Sequence, residues 1–119
     1  LFLVIDLEIE EDYSMGYASH VGFRASTSIP FHFFDLDFEI QTPLLIHPFT
    51  LMDTTLNDYM GLTPKQSLGR TKDLLQEVMR VKGTFITLFH NESVSGYLRW
   101  NGWQRVYETM LKMIRKNAY

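Results

Sequence analysis

Three side chains that could do acid–base or electrostatic chemistry each stand at the end of an apolar run. His90 follows Thr-Phe-Ile-Thr-Leu-Phe, Asp53 follows Leu-Met, and Arg24 stands in Gly-Phe-Arg-Ala. An imidazole can donate a proton to a leaving group near neutral pH, and a carboxylate beside it can hold its tautomer. A guanidinium can clamp an acidic group with two hydrogen bonds. Because active sites of α/β proteins gather where strands end, the three residues together predict an enzyme site.

Each of these residues also has an ordinary structural explanation. His90 could be a core histidine that is hydrogen-bonded to backbone. Asp53 precedes Thr-Thr-Leu and could be a helix N-cap. Arg24 needs a carboxylate, since an unpaired charge among apolar neighbours is costly, and a plain salt bridge to Asp35 or Asp37 would supply one. The local sequence leaves both interpretations open for all three residues.

Four stretches of the chain have the composition of β-strands. Residues 21–25 are predicted to be a short strand, and residues 84–90, which follow Gly83, are predicted to be a buried strand that ends at His90. Residues 31–40 alternate from one side to the other and are predicted to be extended. Residues 44–49 are predicted to form a buried strand with Pro48 at its end, where a missing N–H is tolerated.

Helices are predicted between and after these strands. A short helix is predicted over residues 54–60, and a longer one is predicted to begin at Thr63 and Pro64 and to end at Gly83. Apolar residues at helical spacing predict a last helix over residues 103–116. The alternation of strand and helix in the second half predicts an α/β fold with parallel strands, each helix crossing over a neighbouring strand.

Composition excludes several classes of function. The chain has 119 residues, 45% of them hydrophobic, and a net charge of −3, which predicts one packed domain without the basic stripe of a nucleic-acid-binding protein. No apolar run reaches the roughly 18 residues of a membrane helix, so no membrane partner is expected. The chain has no cysteine, which excludes disulfides and thiolate metal sites. It starts inside an apolar stretch at Leu1, and we expect it to be part of a longer protein.

Several motifs in order give the chain a family resemblance. They are Asp-Tyr-Ser-Met-Gly-Tyr (12–17), Gly-Phe-Arg-Ala (22–25), His-Pro-Phe with Met-Asp and Thr-Leu (47–56), Phe-Ile-x-Leu-x-His-Asn-Glu-Ser (85–93) and Gly-Trp (102–103). In this order they resemble the polysaccharide deacetylase family, whose NodB-homology domain is a distorted (β/α) barrel, usually of seven strands. The resemblance implies that residues 1–119 are a partial domain of this kind. The expected fold is the C-terminal portion of a distorted (β/α)7 barrel, with parallel strands and crossover helices.

The resemblance also implies an activity and roles for residues. The family hydrolyses N- or O-acetyl groups of carbohydrates with a divalent metal, usually zinc, which is held by one aspartate and two histidines beside an aspartate base. By resemblance, Arg24 orients that base, His90 protonates the departing amine or alcohol, and Asp53 tunes His90. The expected substrate is therefore an acetylated carbohydrate, and the expected class is a hydrolase.

Two departures from the family pattern change what this chain can do. The early motifs that supply the base and the metal ligands are missing, so we expect the chain alone to bind no metal and to be inactive. Its expected partners are then the missing N-terminal part of the barrel and, through open sheet edges, other copies of itself. Thr87 stands where the family often has leucine, so the acetyl pocket would need another residue such as Leu88.

A different class of function fits the same scaffold. A non-catalytic α/β module could keep the barrel architecture as a carbohydrate-binding or interaction surface. The aromatic residues in the loop over residues 97–103 could then stack on sugar rings. The presence or absence of an Asp-Asp pair and a spaced histidine pair upstream of Leu1 would distinguish the two hypotheses.

Overall fold

The structure, a computed structural model, describes residues 2–117, and the side chains of residues 4–116. The first half of the chain contains mostly strands, and the second half contains the longer helices. In chain order the elements are α1 (Phe2–Asp6), β1 (Glu11–Asp12), β2 (Phe31–Asp35), β3 (Ile40–Ile46), β4 (Leu51–Met52), a π-helical turn (Thr55–Tyr59), α2 (Pro64–Arg80), β5 (Thr87–Leu88), α3 (Asn91–Val94), a 3₁₀ turn (Leu98–Trp100) and α4 (Trp103–Asn117).

The strands form two small sheets. In the first, β3 lies between β1 and β2, parallel to β1 and antiparallel to β2. In the second, β4 and β5 run parallel. The predicted mixed α/β class with parallel strands is therefore confirmed. Within residues 2–117 the strands do not close into a barrel, and no helix there is long and apolar enough to cross a bilayer.

The stretch over residues 31–40, predicted to be extended throughout, is a hairpin that folds back on itself. The buried carboxylate of Asp35 accepts hydrogen bonds from the backbone N–H groups of Asp37 at 2.9 Å and Phe38 at 3.2 Å. An aspartate that bonds to the backbone just ahead of it makes a turn, which ends β2 and starts β3 at Ile40. The alternation missed this turn because its apolar residues, Leu36 and Phe38, are exposed rather than buried.

Two other strand predictions need correction. Residues 21–25 do not form a strand, because the N–H of Ser26 donates to the carbonyl of Phe23 at 2.9 Å and closes a tight turn. The strand predicted over residues 84–90 is limited to Thr87–Leu88. The segments around Gly22, Thr50 and Ile86 nonetheless lie side by side. The N–H of Gly22 donates to the carbonyl of Thr50 at 2.9 Å, and the N–H of Thr50 donates to the carbonyl of Ile86 at 2.8 Å.

The predicted start of α2 at Thr63 and Pro64 is confirmed, and the structure adds a partner for the cap. The side chain of Thr63 accepts from the N–H of Gln66 at 3.2 Å, and the side chain of Gln66 accepts from the N–H of Thr63 at 2.9 Å. This reciprocal capping box satisfies two backbone donors, and Pro64 occupies the first helical position. The local sequence alone is sufficient to fix this helix end.

The end of α2 differs from the prediction in which residue makes the turn. The helix ends at Arg80, and Lys82 adopts the left-handed conformation with φ of 54°. The N–H of Gly83 then donates to the carbonyl of Val78 at 2.8 Å, which is the bond of a Schellman motif. Gly83 is required for space instead, because a Cβ there would lie 1.9 Å from Oγ of Ser28.

The hydrophobic core lies between β4 and the C-terminal helix. Leu51 of β4 packs with Leu56, Trp100, Trp103 and Val106, all of which are at most 1% exposed. The two indole rings meet edge to face, with centroids 5.5 Å apart. This packing holds the end of β4 at a fixed place relative to α4, and Asp53 follows that end directly.

Candidate functional site

Asp53 and His90 meet at the carboxyl ends of two neighbouring strands. Leu51 and Met52 of β4 pair with Thr87 and Leu88 of β5 in parallel register, so the residues that follow each strand emerge at the same edge. There Nδ1 of His90 lies 2.7 Å from Oδ1 of Asp53. The expectation that strand ends bring these two residues together agrees with this geometry.

The carboxylate of Asp53 is fully buried and has all its acceptor positions filled. Oδ1 accepts from the N–H of Thr54 at 2.7 Å and from Nδ1 of His90 at 2.7 Å. Oδ2 accepts from the N–H of His90 at 2.6 Å and from Oγ of Ser93 at 2.5 Å. Each oxygen therefore has one backbone donor and one side-chain donor. A carboxylate with about four acceptor sites is saturated by this set, which suits its ionised form.

The imidazole of His90 is held on one nitrogen and open on the other. Because the carboxylate of Asp53 accepts only, the hydrogen of a neutral His90 ring stands on Nδ1. Within the described residues Nε2 makes no hydrogen bond, and the side chain is 49% exposed. The buried carboxylate therefore holds one ring nitrogen and leaves Nε2 of the half-exposed imidazole free to exchange a proton with a group outside the fold.

The hydrogen bond that the structure gives Arg24 is to backbone rather than to this pair. Its side chain is exposed, and Nη1 donates to the carbonyl of Gly16 at 3.4 Å. In the described part of the chain, no ion pair or hydrogen bond joins Arg24 to Asp53 or His90, nor to the Asp35 carboxylate proposed as an alternative partner. Its expected role in orienting a base stays a prediction.

The segment that carries Arg24 is nonetheless tied to the region of β4. Oγ1 of buried Thr55 donates to the carbonyl of Ala18 at 2.7 Å, and the N–H of Phe49 donates to the carbonyl of Met15 at 3.0 Å. Gly16 allows this close approach, because a Cβ there would lie 2.3 Å from the ring of Phe49. Residues 12–17 and 47–56, two of the motifs that carry the family resemblance, are therefore packed together.

Ser93 is a member of the site that the sequence reasoning missed. It is fully buried, and its hydroxyl contacts the carboxylate of Asp53, 40 residues away in the chain. A signal was available in the spacing, since His90 is the N-cap of α3 and Ser93 lies three residues later, over the same helix end. Nothing in the sequence indicated that this helix end faces Asp53.

Arg99 joins the two turns that flank the site. Its guanidinium forms an ion pair with Asp58 of the π-helical turn and lies 4.4 Å above the ring of Trp100 in the 3₁₀ turn. The hydrogen bond that Arg99 donates to Asp58 raises the pKa of Arg99, and the charges of Glu92 and Asp53 add to that effect. Sequence analysis did not identify this pair either, because 41 residues separate its members.

The aromatic residues at 97–103 are divided between core and surface. Trp100 and Trp103 are each 1% exposed and form part of the core cluster, so their faces are not open to a sugar ring. Tyr97 is 72% exposed. Any stacking contact from this loop would therefore depend on Tyr97.

The described side chains do not form a metal centre. Among them no three histidine, aspartate or glutamate residues gather as ligands, and Nδ1 of His90 is already taken by Asp53. The divalent metal that the family resemblance implies therefore stays a prediction for the complete domain.

A scan against protein-family models, a search of curated proteins and a search of solved structures each found no match to this chain. The family resemblance therefore stays a prediction from the motifs, and the function stands on the site itself.

Proposed function

We propose that this chain supplies the proton-donating part of a carbohydrate deacetylase, a hydrolase that removes N- or O-acetyl groups. One observation carries the proposal: a fully buried, saturated carboxylate, Asp53, holds Nδ1 of a half-exposed imidazole, His90, where two parallel strands end. The order of motifs along the chain supplies the substrate class. Arg24 is proposed to orient the base by resemblance only.

The chemistry proposed for His90 is the protonation of a leaving group. When water adds to the acetyl carbonyl and the tetrahedral intermediate collapses, the C–N or C–O bond breaks and its electron pair stays on the sugar nitrogen or oxygen. A protonated His90 gives the hydrogen on Nε2 to that atom, so that an amine or alcohol leaves together with acetate. Asp53 keeps the ring oriented throughout and stays ionised.

The rest of the reaction is assigned to residues outside this chain. The motifs that in the family supply the base and hold a divalent metal, usually zinc, are missing from residues 1–119. We propose that the N-terminal part of the barrel provides them and that the chain alone is inactive. The orientation of the proposed acid, His90, is set within this chain by its hydrogen bonds to Asp53.

A purely structural role for Asp53 is the competing explanation. Its carboxylate accepts from the N–H of His90 and the hydroxyl of Ser93, and this clamps the start of α3 to the end of β4. Such a clamp uses the backbone of position 90 and does not need an imidazole there. The substitution His90→Ala therefore separates the two explanations, because it keeps the clamp and removes the proton donor.

The decisive experiment measures acetate release from N-acetylated and O-acetylated sugar oligomers by the protein that includes the N-terminal part of the barrel. We expect His90→Ala to lower kcat by about 10²- to 10⁴-fold, the usual contribution of a general acid. The matched control is His32→Ala, since His32 is an exposed histidine on β2. Equal turnover by His90→Ala and the unmodified protein would overturn the proposal.

A further inference from the structure

The buried hydroxyl of Ser93 contacts the carboxylate of Asp53, which in turn holds the ring of His90. Oγ lies 2.5 Å from Oδ2 of Asp53 and 3.0 Å from the carbonyl oxygen of His90, and the residue is fully buried. A serine hydroxyl has one hydrogen and can donate to one of these acceptors. The shorter contact, to a charged acceptor, takes it, because hydrogen bonds to ionised groups are the stronger ones.

Without Ser93, the carboxylate of Asp53 would be unevenly held. Oδ1 would keep the N–H of Thr54 and Nδ1 of His90, whereas Oδ2 would keep only the N–H of His90. The torsion that rotates a carboxylate is broad and has no steep wells of its own. An under-bonded Oδ2 would therefore turn toward the remaining donors, and the alignment of Oδ1 with Nδ1 would be lost.

We propose that Ser93 is a positioning residue. By fixing Oδ2 of Asp53, its hydroxyl keeps Oδ1 aligned with Nδ1 of His90. This alignment holds the hydrogen of the neutral ring on Nδ1 and leaves Nε2 as the nitrogen that takes up and gives the proton. The catalytic consequence rests on the proposed function. The effect on the ring does not, because the position of the ring hydrogen is a property of the protein without substrate.

The first measurement is the tautomer of His90, read from the ¹⁵N chemical shifts of its two ring nitrogens above the pH at which the ring is protonated. The His90 signals are assigned by their loss in His90→Gln. In the unmodified protein we expect the form with hydrogen on Nδ1 to dominate. In Ser93→Ala we expect the ratio of the tautomer with hydrogen on Nδ1 to the tautomer with hydrogen on Nε2 to fall about tenfold, the effect of one hydrogen bond to a charged group.

Three further variants separate the hydroxyl from the space it fills. Ser93→Cys keeps a side chain of similar size with a weak donor and should behave as Ser93→Ala, whereas Ser93→Thr keeps the hydroxyl and should retain the Nδ1 form. The matched control is Ser95→Ala, since Ser95 is exposed and its hydroxyl donates to the carbonyl of Glu92 at 2.6 Å. It should leave the His90 signals unchanged.

Activity then gives an independent reading in the protein that includes the N-terminal part of the barrel. Ser93→Ala and Ser93→Cys should lower kcat about tenfold with little change in KM, and Ser93→Thr should restore it. An unchanged tautomer ratio in both Ser93→Ala and Ser93→Cys overturns the positioning role. A changed ratio with full activity in His90→Ala overturns the proposed function instead and leaves the positioning role standing.

Discussion

Two aspartates of this protein stand at the ends of strands and are buried, yet their surroundings differ. Asp35 at the end of β2 is 6% exposed, and Asp53 after β4 is 0% exposed. Asp35 accepts from the N–H groups two and three residues ahead of it. Asp53 accepts from its immediate neighbour and from His90 and Ser93, which are 37 and 40 residues away.

The comparison shows that burial of a carboxylate does not by itself indicate chemistry. The described hydrogen bonds of Asp35 are both to local backbone, which any sequence after it could supply, and they make a turn. Asp53 draws in two particular side chains from another part of the chain, one of which stays half exposed. The identity of the donors, rather than the burial of the acceptor, distinguishes a candidate site from a structural turn.

The largest expected effect comes from removing the two carboxylates in turn. Asp53→Ala leaves the backbone N–H groups of Thr54 and His90 without their acceptor and removes the charged partner of the Ser93 hydroxyl and of Nδ1 of His90, so the free energy of unfolding should fall by about 3 kcal/mol or more. Asp35→Ala removes a local turn contact and should cost about 1 kcal/mol. Urea denaturation followed by circular dichroism measures both values. Equal losses would mean that the two aspartates have the same structural role.

Some parts of the fold and of the candidate site could be predicted from the sequence. The start of α2 at Thr63 and Pro64 and the last helix, predicted over residues 103–116 and observed as Trp103–Asn117, depend on neighbours in the chain and were predictable. The meeting of Asp53 and His90 was also predictable, because parallel strands present their carboxyl ends at one edge. These predictions need only local patterns and one general rule of topology.

The remaining features depend on contacts between distant segments. The Ser93–Asp53 bond and the Arg99–Asp58 pair join residues about 40 apart in the chain, and no periodic pattern encodes such a pairing. The turn after Asp35 escaped because Leu36 and Phe38 continue the apolar alternation while facing solvent. A pattern of apolar residues predicts an element only when those residues are buried, and burial is decided by the whole fold.

A smaller effect compares one buried hydroxyl from each region. Oγ1 of Thr42 in β3 donates to the carbonyl of Phe33 at 2.6 Å, a neutral bond within the hairpin. Ser93 donates to an ionised carboxylate. We expect Ser93→Ala to lower the free energy of unfolding by about 1.5–3 kcal/mol and Thr42→Val to lower it by about 1 kcal/mol. Thermal or urea unfolding checks the difference, and a larger loss in Thr42→Val would contradict it.

The smallest effect on stability is expected at the tip of the hairpin. Leu36 and Phe38 are 81% and 76% exposed, and β2 lies at the edge of its sheet. Replacing both with serine should change the free energy of unfolding by no more than about 0.5 kcal/mol, since exposed side chains contribute little. If this edge is where copies of the chain associate, the double variant should sediment as a smaller species than the unmodified chain. Identical sedimentation of the double variant and the unmodified chain would assign self-association to another surface and would leave the hairpin with a structural role alone.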